Sequence, residues 1–210
     1  MRALALGVAL AAVGTAASGQ GLAKGAFPDG FRVRADGPPG SAAEVVFVTM
    51  RPGWHITTGP ASILYDGALK ADSAFRVDAE TFLFPPGEQN EGYGVLVGGT
   101  DLDGDAQRYA AFVIRRTGEF RIERRAGAAW AVLKDWTAHA SILRYDDRGE
   151  SGTAKNVLSI DAGGEVVRFL VNGTEVATLP RSAVGVDGVV GLRVNAGVNL
   201  HVSSLVVTKR

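Results

Sequence analysis

Asn172-Gly173 lies between two β-prone runs, 166–171 and 174–180. Asn and Gly both tolerate the positive φ that a two-residue type I′ turn requires, so this dipeptide reads as the tip of a β-hairpin. Such a turn pairs Val171 with Thr174, Phe169 with Val176 and Val167 with Thr178. Alternation then puts Val167, Phe169, Val171 and Val176 on one apolar face. The other face is mixed, and there Arg168 and Glu175 form an exposed diagonal pair worth a fraction of a kcal/mol. Ala162-Gly163-Gly164 makes an upstream turn that joins residues 157–160 to the same meander. Three antiparallel strands with one apolar face need a second sheet to cover them.

The rest of the chain repeats this pattern. Strand signals cover 45–49, 54–58, 63–65, 75–84, 93–97, 109–116, 119–125, 130–133, 189–195 and 200–207, separated by Gly, Pro, Asp and Asn. Residues 45–49 form a continuous apolar run expected to be buried on both sides, and Asp66-Gly67 is expected to turn the chain. Thr117-Gly118 reads as a two-residue hairpin loop that opposes Arg116 to Glu119 and puts Val113, Phe120 and Ile122 on one face. No 3.6-residue apolar period persists for three turns after the first residues. About a dozen strands exceed an immunoglobulin sandwich, so the expected fold is all-β, a two-sheet antiparallel jelly roll.

Domain organisation follows from the two ends. Met1-Arg2, the apolar run 3–13 and the small residues Ala17 and Gly19 read as a secretory signal over 1–19, with the mature chain starting at Gln20. The run is short for a membrane span, and no cysteine follows it to carry a lipid anchor. A secreted or periplasmic protein is expected, with no membrane span after signal removal. Residues 20–44, rich in Gly, Pro and Ala, read as a linker or as an N-terminal strand near 31–34; residues 45–210 read as one domain. The 22 Lys and Arg balance the 22 Asp and Glu, so no field for nucleic acid is present.

Gly53-Trp54, Gly59, Asp66-Gly67, Leu69 and Phe75 open the body. Asn156-Val-Leu158, the Asn-Gly hairpin and Gly188-Val-Val-Gly191-Leu close it. Over roughly Trp54 to Lys209 this pattern resembles the 3-keto-disaccharide hydrolase-like and laminin-G-like domains of the concanavalin A-like lectin/glucanase superfamily. The resemblance implies a jelly roll that holds carbohydrate or a glycoconjugate. Its retaining glycosidases carry Glu-x-Asp-x-(x)-Glu on one strand. Here the nearest match is Arg76-Val-Asp78-Ala-Glu80, with Arg76 where the first Glu belongs. Asp78 and Glu80 are therefore the catalytic candidates of a hydrolase reading, and the incomplete pattern favours a lectin-like domain over an enzyme. A laminin-G-like protein-interaction module is the third reading.

Candidate ligand contacts are Trp54, His55, Tyr65, Tyr93, Arg108, Asn195 and His201. Aromatic rings stack on the C–H faces of sugars, while amides, Arg and His bond the hydroxyls. Tyr109, Trp130 and Trp136 join Trp54, Tyr65 and Tyr93 as aromatics with polar tips, and about two of these six are expected to face a groove. Arg115, Arg116, Arg121, Arg124 and Arg125 form a basic cluster, diluted by Glu119 and Glu123, that reads as exposed strand residues or as an anionic-glycan site. His55 and His201 lie on strands from opposite ends of the chain that a sandwich can bring together. Asp101, Asp103 and Asp105 offer three hard oxygen ligands of the type calcium takes, on a loop without EF-hand spacing. Asn172-Gly-Thr174 fits an N-glycosylation sequon, which its turn role also explains.

Overall fold

A computed structural model describes residues 27–38, 40–85 and 89–210. The expected secretory signal lies outside the described residues. The chain forms a two-sheet antiparallel jelly-roll sandwich. Its strands are β1 (Phe31–Ala35), β2 (Val46–Thr49), β3 (Trp54–Thr57), β4 (Ser62–Ala71), β5 (Phe75–Leu83), β6 (Tyr93–Thr100), β7 (Arg108–Arg115), β8 (Glu119–Ala126), β9 (Ala129–Ala138), β10 (Ala154–Ala162), β11 (Val166–Val171), β12 (Thr174–Pro180), β13 (Gly188–Val194) and β14 (Asn199–Lys209). The front sheet runs β1-β4-β13-β6-β7-β8-β9 and the back sheet β12-β11-β10-β5-β14-β3-β2. Apart from three-residue 3-10 turns and one of four, the described helix is a single turn, α1 (Arg181–Val184). Among the described residues no helix is long and apolar enough to cross a membrane.

Alternation builds the core. In β5, Phe75, Val77, Ala79, Thr81 and Leu83 point inward, while Arg76, Asp78, Glu80 and Phe82 point out. They meet Val95, Phe112, Ile114 and Leu192 of the front sheet in one apolar cluster. Phe169 of β11 packs on Phe112 across the sandwich, ring centroids 5.2 Å apart.

The Asn172-Gly173 turn forms as expected, with φ of 52° and 81°. Asn172 also anchors its surroundings. Its Oδ1 accepts from the Val157 amide at 2.8 Å, and its Nδ2 donates to the Ser141 carbonyl at 2.7 Å and to Asn156 Oδ1 at 2.9 Å. The sequon amide is thus consumed in structural bonds. Arg168 and Glu175 pair at 3.7 Å, both exposed. Val171 faces Thr174, but a bulge between Phe169 and Leu170 moves the later partners by one residue. Phe169 therefore faces Ala177, Val167 faces Leu179, and Val176 is only half-buried.

Three other local readings change for tertiary reasons. Residues 46–49 form an edge strand with Phe47 inward and Val46 and Val48 half-exposed, so this run is buried on one side. Asp66-Gly67 does not break β4. Asp66 Oδ1 accepts the Ala68 amide, yet the strand is held between β1 and β13, and two ladders override a local turn preference. The loop between β7 and β8 holds three residues, Arg116, Thr117 and Gly118, so Arg115 faces Glu119. That slip of one turns Val113 away from Phe120 and Ile122, onto the outer face of the front sheet. Residues 31–35, open in the sequence between linker and strand, pair with β4 at the sheet edge.

Truncating Phe169 to Ala leaves a cavity between the sheets. We expect a loss of about 3–5 kcal/mol in urea unfolding. Val206→Ala, at a side chain 49% exposed, should shift stability by about 0.5 kcal/mol or less.

Candidate functional site

The front sheet buries side chains on its outer face as well as on its inner one. Ile63, Tyr65, Leu96, Leu102, Tyr109, Ala111 and Val113 form a second apolar cluster there. Leu102 comes from the loop after β6 and closes one side of this face. Trp136 of β9 packs against the other side. Gly92 makes room for it, because a Cβ at that position would lie 3.1 Å from the Trp136 ring.

Arg193 stands in the middle of this face, on β13. It is 5% exposed. Its Nη2 pairs with Asp36 Oδ2 at 2.6 Å, and its Nε donates to Asn195 Oδ1 at 3.0 Å. Asp36 follows directly after β1, and its other oxygen meets Arg125 Nη1 of β8 at 2.9 Å. One carboxylate thus bridges two arginines from distant strands. The buried Gln107 completes the layer: oriented to satisfy its neighbours, its oxygen accepts from Arg125 and Arg34 at 3.2 and 3.3 Å. Arg193 Nη1 and the Tyr109 hydroxyl have no hydrogen-bond partner among the described residues, although both are buried.

Above this layer lies the side chain of Trp130, 41% exposed. The guanidinium carbons of Arg125 and Arg193 are 4.9 and 5.2 Å from its ring centroid, and Tyr109 meets it edge-on at 5.9 Å. At the far end of β9, Trp136 sits 4.3 Å from Arg115 and 5.8 Å from Arg121. Carboxylates match these cations. Arg115 forms a two-pronged bond to Glu119 at 2.7 Å. Arg121 Nε lies 3.4 Å from Glu123 and 3.7 Å from Asp135, contacts too poorly aligned to be hydrogen bonds. The bonds from Arg115 and Thr117 pull the Glu119 carboxyl down to about 2. Burial pushes the Glu123 carboxyl up, against the pull of Arg121 and Arg193.

The residues singled out in the sequence fall in several places. Tyr65 and Asn195 lie on this face. Tyr65 donates to Asp103, and burial with that acceptor pushes its phenol up; Asn195 also donates to Glu91 at 3.3 Å. Arg108 is exposed at the end of β7, in a depression with Thr100, Arg124 and Gly185. Tyr93 is 1% exposed and belongs to the inter-sheet core, because its strand phase turns it inward; it faces no groove. Trp54 packs on Phe31 and Phe47 at the core margin.

His55 and His201 are direct cross-strand neighbours, but on the outer face of the back sheet. Burial and then the charge of His201 push His55 below its ordinary value. Asp78 and Glu80 point out from that same sheet. Burial raises Asp78, but hydrogen bonds from Arg76 and Ser159 outweigh it and hold the carboxyl low. Lys155, at 2.6 Å, and Ser203 hold Glu80 low. Both are thereby held as anions, the opposite of what a general acid needs.

The calcium reading is not supported by the loop. Among the described residues no three acidic or His side chains converge as a metal site. Asp103 has one oxygen on Arg32 and the other on Tyr65, whereas Asp105 is fully exposed, 3.7 Å from Arg34.

The sequence reading singled out neither Arg193 nor Asp36. Arg193 carried a signal: a lone charge inside the apolar run 189–194, at a position where alternation continues on both sides. Asp36 carried none, since it lies in a Gly- and Pro-rich stretch.

Similarity to known proteins extends to the fold. No protein-family model matches the chain, and no curated protein matches it. Among solved structures, the carbohydrate-binding module CBM66 from Bacillus subtilis superposes with a TM-score of 0.63 at 12% identity, over 86% of this chain and 96% of that one. A family 16 glycoside hydrolase from Bacteroides ovatus in complex with a G4G4G3G product gives 0.59 at 10% identity, over 87% and 96%. A Bacillus subtilis protein of unknown function with a galectin-like fold gives 0.59 at 11%, over 85% and 89%. The chain therefore has the concanavalin A-like jelly-roll fold shared by carbohydrate-binding modules, galectin-like proteins and family 16 hydrolases. That is the class the fold defines; it carries no specific hydrolase subtype.

Three outcomes follow from this geometry. Asp36→Asn strips Arg193 and Arg125 of their shared carboxylate and should cost about 1–3 kcal/mol of stability, with Glu123 left as partial compensation. The pH dependence of two variants should have opposite signs. Glu119, depressed in the folded state, contributes stability that is present above the ordinary carboxylate range and lost as pH falls towards 2, so Glu119→Gln should lose most at neutral pH. Glu123, raised in the folded state, weakens the fold as pH climbs past the ordinary Glu value, so Glu123→Gln should gain relative to the parent on going from about pH 4 to about pH 8. Urea midpoints from about pH 2 to about pH 8 read both. Finally, EDTA should leave the melting temperature unchanged.

Proposed function

We propose that this chain is an exported carbohydrate-binding domain of lectin type, and that its ligand lies on the outer face of the front sheet. The observation that carries this reading is the pairing on that face of exposed tryptophan with matched arginines and carboxylates. A sugar ring presents an apolar C–H face and a rim of hydroxyls that both donate and accept. Trp130 supplies an apolar ring, Arg121 and Arg125 supply donors, and Glu123 and Asp36 supply acceptors, held in place by the Arg193 layer beneath. The fold shared with a carbohydrate-binding module and with a hydrolase caught with its glucan product supports the ligand class. Export rests on the order of charge, apolar run and small residues in 1–19.

Glu123 favours one rival. A carboxyl raised by burial, against the pull of Arg121 and Arg193, is the kind a general acid needs, so glycoside cleavage of the keto-disaccharide hydrolase type would be seated here rather than at Asp78 and Glu80.

A glycan array probed with the chain from Gln20, with supernatants assayed for released sugar, tests both. We expect saturable binding without release, lost in Trp130→Ala. Release that disappears in Glu123→Gln would establish the hydrolase instead. Absence of both across a broad panel would favour a protein-interaction module.

A further inference from the structure

Strand β9 is the free edge of the front sheet, and its residues 129–132 are exposed. Trp130 and Trp136 lie on its outer face at opposite ends, six residues apart, which in an extended strand is about 20 Å, shortened somewhat where β8 and β9 slip register. That span exceeds one sugar ring several times over. Val132, 48% exposed and opposite Glu123, continues the apolar stripe between them. Beside the stripe, β8 lays down a row of alternating charge: Glu119, Arg121, Glu123, Arg125.

This row is self-neutralised. Arg115 has Glu119, Arg121 has Glu123 and Asp135, and Arg125 shares Asp36 with Arg193. An anionic ligand would have to compete with a carboxylate already in place at each guanidinium. Hydroxyls need no such exchange, since they can add to the free lone pairs and N–H groups of an intact Arg–carboxylate pair. The basic cluster legible in the sequence is thus, in the fold, a neutral ladder of donors and acceptors.

Resting on the carbohydrate-binding reading above, we propose that this strip binds a linear, uncharged oligosaccharide several rings long, laid along β9 with one ring on Trp130 and another on Trp136.

The test is titration calorimetry of the chain from Gln20 with neutral β-linked gluco-oligosaccharides, from monosaccharide to hexasaccharide, and with an oligogalacturonate series as the anionic counterpart. A neutral mannan series covers a different backbone. The expected result is affinity that climbs with length and then levels off, a preference for neutral over anionic chains, and a loss of about tenfold in each of Trp130→Ala and Trp136→Ala. Val132→Lys, which keeps both rings, should also lose long-chain binding; thermal melts of all three variants confirm folding. Equal affinity for monosaccharide and hexasaccharide, an unaffected Trp136→Ala, or tighter binding of the galacturonates overturns the extended neutral site while leaving carbohydrate binding intact. Failure of every series to bind, together with a blank glycan array, overturns the carbohydrate reading and this inference with it. A concentration-dependent dimer in sedimentation that Val132→Lys abolishes would assign the strip to a second copy of this chain instead.

Discussion

A guanidinium buried in the middle of a sheet face is costly unless it is neutralised and its N–H groups are bonded. Arg193 imposes that requirement on its surroundings. It sits on the third strand of the front sheet, and its partners come from beyond the first strand (Asp36), from the end of its own strand (Asn195) and, electrostatically, from the sixth (Glu123). Asp36 in turn fixes Arg125, and Arg125 with Arg193 fixes Trp130. Much of the outer face is thus arranged around one charge. The same dependence explains why that face is polar and yet firmly packed, with an apolar cluster closing it on either side.

The two outer faces of the sandwich differ in a way that bears on chemistry. The back sheet carries Asp78 and Glu80 with cationic and hydroxyl partners that hold them ionised, as exposed strands usually do. On the front sheet burial raises the carboxyl of Glu123 against the charges of Arg121 and Arg193. Fold alone does not choose between binding and cleavage, since both occur on this scaffold. What differs is how the carboxylates are paired: Asp78, Glu80 and Glu119 are held low by their partners, whereas burial raises Glu123.

Most of the architecture was legible because it depends on period two and on turn chemistry. Asn172-Gly173 gave its hairpin, and the inward phase of β5 followed from Phe75, Val77 and Ala79. What was not legible was one-residue detail. The bulge at Phe169 and the three-residue loop at 116–118 each shift a register by one, and a shift of one moves a side chain to the opposite face. Val113 changed faces for that reason. Tyr93 reads as an aromatic with a polar tip, but its strand phase is fixed by pairing with β7 and with β13, the latter about a hundred residues away in sequence. The arginine cluster was visible as composition, whereas its partners were not, because Asp36 and Asp135 reach it only through the fold.

The sequence pattern that marks the body begins at Trp54, yet β1 and Asp36 lie before it. The front sheet therefore begins at Phe31, ahead of that pattern, and Asp36 follows directly on its first strand. A boundary drawn where the recognisable pattern starts would keep nearly every strand and leave two arginines facing one another without their shared counter-ion. In modular terms, the sheet and its counter-ion share one upstream limit, and a fusion or excision of this domain has to be cut ahead of Phe31 to keep both.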